Sequence, residues 1–295
     1  MDQAVGLRKT NGNELKADGF ISSGSPSLDQ PIRVISVSSG KGGVGKSNVV
    51  INLALAFDQM GLRVLIMDAD LGLANIDVLL GLAPKYNLSH VLNGTKRIDE
   101  VLVRGPGRTK IMPASSGVQE LTKLTDEQKL LLLEMFEGME TEIDILLVDT
   151  SAGISDAVLY FNLAAHEKIV VVTPEPTSLT DAYALIKVLY SKYGERYFRI
   201  LVNSAPSEAA GKAIFAKISK VADHFLDGLS LDYLGAIPHD VMITKAVLQQ
   251  RALLEVFPDA AASRAFGVVA DTIRKTQPFV NQGTIQFFWK RLLNV

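Results

Sequence analysis

The stretch "VISVSSGKGGVGKSNVVINLALAF", residues 34–57, sets an apolar strand, a glycine-rich turn and a helix-forming run end to end. Gly40 to Ser47 fits the pattern G-x-x-x-x-G-K-[ST]. Glycines let the backbone curl so that its N–H groups converge on phosphate oxygens, with a lysine reaching the terminal phosphates and a serine hydroxyl ligating Mg²⁺. Here those residues are Lys46 and Ser47. The helix that follows adds its positive N-terminal end. The loop and its flank, Gly40, Lys41, Gly42, Gly43, Val44, Gly45, Lys46, Ser47 and Asn48, form the expected phosphate cradle. A plain glycine-rich turn is the alternative, and the flanking strand and helix argue against it. Lys41 is a second cation in a loop that needs one. It points away from its own phosphates in the usual loop geometry and can reach a nucleotide on a facing subunit. The alternative is a solvated surface lysine.

Outward from this unit the pattern repeats. Apolar runs "IRVISVSS", "RVLIMDAD", "KIMPASS", "IDILLVDT", "KIVVVTP", "FRILVNSA" and "DYLGAIP" read as strands. Several are continuous rather than alternating, as in strands buried on both faces. Helical stretches "SNVVINLALAFDQMG", "TDEQKLLLLEMFEGM" and "SLTDAYALIKVLYSKYG" lie between them. The alternation predicts an α/β fold, a mostly parallel sheet with helices on both faces. Ligands then bind at the carboxyl ends of the strands. The expected domain spans residues 31–277, after a polar arm, 1–30, and before a terminal segment, 278–295.

The 295 residues are 47% apolar and 21% charged, with a net charge of −2. That suits a soluble globular protein and gives no global field toward nucleic acid. The absence of cysteine excludes disulfides, thiolate zinc sites and the usual iron–sulfur ligation. The start "MDQAVGLRKTNG" lacks the apolar run of a signal peptide, and no stretch reads as a membrane span. A cytoplasmic protein is expected.

Phosphoryl transfer also needs an oriented water and a metal. Asp68 and Asp70 in "LIMDADLGLANID" lie at a strand end, two apart, and face the same way if the strand continues. Asp149 closes the apolar run of "ILLVDTSAGIS", and Gly153 after it permits a mobile loop. Helix or turn capping is the alternative for these acids, and the preferred one for Asp77.

The terminal segments carry patterns of their own. In "TIQFFWKRLLNV", Ile285, Phe288, Trp289, Leu292 and Leu293 share one helical face, flanked by Lys290 and Arg291. This fits a helix lying in a membrane interface, although Phe287 falls on the wrong side. A helix docked on the domain is the alternative. Burying five such side chains yields at most roughly 7–15 kcal/mol. Ordering about ten residues costs a similar amount. One tail is therefore marginal, and two on a dimer would hold through effective concentration.

The loop resembles the deviant Walker A motif, K-G-G-x-G-K-[ST], of the MinD/ParA ATPases. The resemblance implies an ATP-sandwich homodimer in which Lys41 contacts phosphate across the interface. It further implies that Asp70 orients the attacking water, Asp68 supports Mg²⁺ and Asp149 reaches Mg²⁺ through water. For the base it implies Asn203 in "LVNSAP", and Pro238 with Asp240 in "GAIPHD". Turn chemistry is the alternative for those three. A C-terminal targeting helix belongs to the same family pattern.

Within that family the chain is similar to the FlhG group, also called FleN or YlxH. "DQAVGLR" at the start, "DADLGLANIDVLLGL", "DTSAGI" and "EPTSLTDAYALIK" carry the likeness. It implies control of flagellar number and placement, with Asp2, Gln3, Leu7 and Arg8 activating the SRP-type GTPase FlhF. It implies peripheral, polar placement at the inner face of the cell membrane, with flagellar C-ring proteins or a flagellar transcription activator as further partners. No specific nucleic acid is expected. Rival readings are a division-site MinD, a ParA-type partition protein, and a nucleotide-gated regulator of a transcription activator.

Overall fold

The computed structural model describes residues 32–70, 75–113, 125 and 143–276. The arm, the terminal segment and all but Thr125 of the expected helix at 125–139 lie outside these residues. Among the described residues, eight strands form one sheet in the order β3-β4-β2-β5-β1-β6-β7-β8. They are β1 Arg33–Ser39, β2 Val64–Ala69, β3 Val103–Arg104, β4 Lys110–Met112, β5 Ile145–Ala152, β6 Glu167–Val172, β7 Tyr197–Ala205 and β8 Ser230–Pro238. Every pairing is parallel except β3 with β4. The mostly parallel α/β sheet is thus the architecture found. β3 is a departure: two residues give no periodicity to read, and only a hairpin return places them beside β4.

Ten helices accompany the strands among the described residues. They are α1 Lys46–Gln59, α2 Asn75–Leu80, α3 Leu88–Leu92, α4 Ile98–Val101, α5 Asp156–Ala164, α6 Pro176–Tyr193, α7 Glu208–Phe225, α8 Val241–Leu248, α9 Leu253–Val256 and α10 Ala261–Lys275. One face of the sheet packs on α1 and α10, through Val50, Leu53, Phe57, Phe266 and Ile273. On the other face, Val158 of α5, Leu185 of α6 and Ile214 of α7 meet the strands. The central strands are covered on both sides, which is why "VLIM" and "IVVV" within them read as unbroken apolar runs. α1 is buried on nearly every residue because α10 closes over its outer side. No described helix is long and apolar enough to cross a membrane.

Central β1 lies between β5 and β6, and α1 carries the chain from it past β5 to β2. The crevice where the chain diverges opens at the carboxyl ends of β1 and β5, the place where such sheets bind ligands.

Candidate functional site

The turn after β1 has its helix N-cap at Gly45, with φ +83°, and Gly43 also lies in the left-handed region at φ +78°. Side-chain-bearing residues rarely hold that conformation, so these glycines set the curl of the cradle. Gly40 serves another purpose: a Cβ there would overlap the Asp181–Ala182 backbone of α6. The loop therefore begins pinned against α6 and ends on the N-terminus of α1.

Inside the curl, Lys46 Nζ lies 2.5 Å from Asp149 Oδ1, and both side chains are buried. Asp149 ends the apolar part of β5, directly across from Val37 of β1. Burial pushes its carboxyl up, opposed by the Lys46 ammonium and the Ser47 hydroxyl. Its second oxygen, Oδ2, is buried with no hydrogen-bond partner. Such an orphan lone pair is unfavourable unless something else supplies a donor or a cation.

A cleft of about 320 Å³ opens above this pair, lined by the loop 41–48 together with Asp70, Asn75 and Val78. β2 ends at Ala69, so Asp68 and Asp70 do not share one strand face as the two-residue spacing suggested. Asp68 instead accepts the backbone N–H of Asp70 at 3.0 Å and of Ile76 at 3.4 Å, tying the chain between β2 and α2. Burial, reinforced by the charge of Asp149, pushes its carboxyl up to about 7. Asp70 stands at the cleft, where Asn75 Nδ2 donates to its Oδ2 at 3.1 Å. Sequence reasoning did not single out Asn75; its place as the first residue of α2 was the available signal.

Lys41 is half-exposed and paired at the surface. Its ammonium reaches Glu175 Oε2 at 2.5 Å and Thr177 Oγ1 at 3.0 Å, at the start of α6. Neither partner was anticipated, although Glu175 stands between two prolines that fix the approach to α6. Asn203 Nδ2 donates to the Val44 carbonyl at 2.7 Å, so the end of β7 braces the cradle. Pro238 pairs with Ala205 at the end of β8. Asp240 is engaged in capping: one oxygen accepts from Met242 N at 2.9 Å, the other from Ala262 N at 3.1 Å. That is the turn chemistry set beside base contact as its alternative.

These groups suit a Mg²⁺–nucleotide. Converging loop N–H groups, a buried lysine and a helix N-terminus complement phosphate charge. The spare Asp149 oxygen suits a metal-bound water. Among the described residues no three carboxylates or imidazoles form a cage for a metal. Mg²⁺ held largely by phosphate oxygens and waters needs none.

Comparison with known proteins agrees. The "AAA domain" family model matches residues 32–195. The chain is 48% identical over 264 residues to "Antiactivator FleN" of Pseudomonas aeruginosa, covering 89% of this chain and 94% of that protein. It is 32% identical over 265 residues to "Flagellum site-determining protein YlxH" of Helicobacter pylori, covering 88% and 90%. A solved structure of the septum site-determining protein MinD from Pyrococcus horikoshii, complexed with Mg-ADP, superposes with a TM-score of 0.64 at 27% identity, over 83% of this chain and 96% of that one. The chain belongs to the MinD/ParA type of AAA-domain ATPases, and within it to the FleN/YlxH (FlhG) family.

Proposed function

We propose that this protein is a slow ATP-driven switch that controls the number and placement of flagella. ATP joins two copies, each lending Lys41 to the other's phosphates, and the dimer sits on the cytoplasmic membrane through paired tails containing Ile285, Phe288, Trp289, Lys290, Leu292 and Leu293. Asp2, Gln3, Leu7 and Arg8 of the arm act on FlhF. Hydrolysis separates the copies and releases the membrane.

One observation supports this most directly: the buried Lys46–Asp149 pair keeps a carboxylate oxygen unpartnered beneath a cleft with Asp70 beside it. Ser47 would ligate Mg²⁺, with Asp149 and Asp68 supporting it, and the metal supplies charge neutralisation at the phosphates. Asp70, steadied by Asn75, would orient the attacking water. Asn203 and the backbone of the Pro238–Asp240 turn would form the base side, with the Asp240 carboxylate holding that turn in place through its capping bonds. Lys41 is held by Glu175 and Thr177 of its own chain, and phosphates on a second copy offer it an exchange of partners.

Sizing and liposome co-sedimentation with ATP test the reading. Asp70→Ala is expected to accumulate as a membrane-bound dimer, and Lys41→Ala to stay monomeric and unbound. ATP turnover should be slow and rise with protein concentration. The reverse pattern in the two variants overturns the assignments.

The name of the Pseudomonas relative, an antiactivator, favours a second role. The nucleotide-bound form would also hold a flagellar transcription activator inactive. Pull-downs of such an activator with and without ATP separate the two roles.

A further inference from the structure

Behind the phosphate site, on the opposite face of the sheet, lies a chain of four polar side chains, Ser36, Ser38, Thr150 and Asn162, all fully buried. Their surroundings are aliphatic or aromatic: Val34, Val148, Val158 and Phe161. Asn162, on α5, uses every part of its amide. Its Oδ1 accepts from Ser36 Oγ at 3.0 Å, and its Nδ2 donates to Ser38 Oγ at 2.8 Å and to the Val158 carbonyl at 2.7 Å. Thr150 Oγ1 then meets Ser38 Oγ at 2.9 Å.

Stability does not account for this chain. Buried polar groups are tolerable when satisfied, and an apolar set of the same shape is often as stable or more so. Position gives a better reason. Ser38 lies two residues before Gly40, where the phosphate loop starts. Thr150 follows Asp149 directly, so their side chains emerge on opposite faces of β5. The Thr150 hydroxyl has one proton and three acceptors within reach: Ser38 Oγ, the Val37 carbonyl at 3.3 Å and the Ser151 carbonyl at 3.0 Å. Ser151 opens the short segment that leads through Gly153, at φ +93°, and exposed Ile154 into α5. The Gly153 N–H is itself bonded to the Ser39 carbonyl at 2.9 Å. Segment 151–155 is thus tied in front to the loop strand, and the helix it feeds is tied behind to the same strand.

We infer that Asn162 is a positioning residue: with Ser36, Ser38 and Thr150 it locks α5 to β1 and β5, so that a shift of the carboxyl ends of these strands at the phosphate site carries α5 with them as a rigid body instead of being absorbed in segment 151–155. The inference rests on the ATPase reading above. It adds a mechanical link from the nucleotide to the outer surface of α5, through residues that touch no nucleotide.

The test uses the full chain and the triple variant Ser36→Ala/Ser38→Ala/Asn162→Leu, which replaces the network with apolar groups. The variant should unfold within a few degrees of the parent and bind ADP equally well. Its kcat should be about tenfold lower at unchanged KM. ATP is expected to change hydrogen exchange in α5 of the parent and no longer to do so in the variant; an active parent whose α5 shows no ATP response also overturns the inference. A variant with parental kcat and a parental exchange response shows that the network only fills space, and overturns the inference. Should the triple variant fail to fold, Thr150→Val, close in shape, cuts the link at Ser38 and Ser151. The same loss of kcat and exchange response is expected, and parental behaviour overturns the inference equally. A parent that neither binds ADP nor turns over ATP would refute the ATPase reading itself, a result distinct from either variant matching an active parent.

Discussion

Each end of the sheet holds a buried ion cluster, and the two are finished differently. At the amino ends of the strands, Glu167 of β6 uses both carboxylate oxygens. It accepts from Arg33 Nε and Nη2 of β1 and from Arg199 Nη1 of β7, each at 2.8 Å. Arg33 also donates to the Ile273 carbonyl in the last turn of α10. Three strands and a helix end are thereby joined. At the carboxyl ends, Asp149 gives one oxygen to Lys46 and leaves the other without a partner. A carboxylate with both oxygens engaged holds structure, whereas one with an oxygen in reserve is built to be completed by something arriving.

The largest expected effect falls on the completed cluster. Glu167→Gln removes the charge facing a buried guanidinium, Arg199, and a half-buried one, Arg33, with Asp232 the neighbouring acid that offsets Arg199 in part. Removing one partner from such a cluster destabilises by about 3–5 kcal/mol. Urea unfolding should show that loss, while the folded fraction binds ADP within about twofold of the parent. A stability loss under about 1 kcal/mol, or a tenfold change in ADP affinity, would break the division between a structural end and a ligand end.

A smaller effect is expected at the open end, with a pH signature. Asp68 is buried beside Asp149, and its carboxyl is pushed up to about 7; burial pushes Asp149 up as well, with the Lys46 ammonium opposing it. Because the folded state binds the Asp68 proton more tightly than the unfolded chain, this stabilisation is complete below about pH 4 and is lost as pH rises to about 7. In protein free of metal and nucleotide, Asp68→Asn should therefore be the more stable form at pH 8, by up to about 4 kcal/mol. The difference should vanish near pH 4. A constant difference across that range, measured by denaturant unfolding, would mean that Asp68 does not carry the proton. The open end would then be less strained by its acids than the comparison holds.

The same contrast explains what could be read from the residues alone. β1, β2, β5, β6 and β7 were legible because strands covered on both faces carry near-continuous apolar runs, and the loop 40–47 because its glycine and lysine spacing is chemical as well as structural. Asp149 was visible for a related reason: an acid at the end of an apolar run has few structural uses. Arg33, Glu167 and Arg199 were not visible as a cluster, since each sits near a strand start where a charged residue ordinarily meets solvent. Their meeting depends on the strand order β1-β6-β7, which only the assembled sheet supplies. The partners of Lys41 are likewise tertiary, brought by a helix more than a hundred residues away. Asp68 illustrates a local miss. Counting two residues along β2 assumed that the strand continued, but it stops at Ala69, and the carboxylate turns to the backbone of its own exit.

The smallest expected effect concerns an acid near the ligand end whose oxygens are both engaged. Asp240 caps α8 through Met242 N and reaches Ala262 N at the start of α10. Those backbone bonds hold its carboxyl below the usual range, so its contribution is full above the ordinary carboxylate value and is lost as pH falls from there through the lower folded value. Replacing a capping aspartate by alanine typically costs about 1 kcal/mol, and asparagine caps nearly as well. Asp240→Ala should accordingly lose about 1 kcal/mol near pH 7, and Asp240→Asn almost nothing. Because the carboxylate is occupied by helix N–H groups, ADP should bind both variants within about twofold of the parent. If both lose ADP affinity about tenfold while Asp240→Asn keeps full stability, the side chain acts on the base directly. A carboxylate with both oxygens engaged in capping would then still serve the ligand, and the number of free lone pairs would no longer separate the two ends of the sheet.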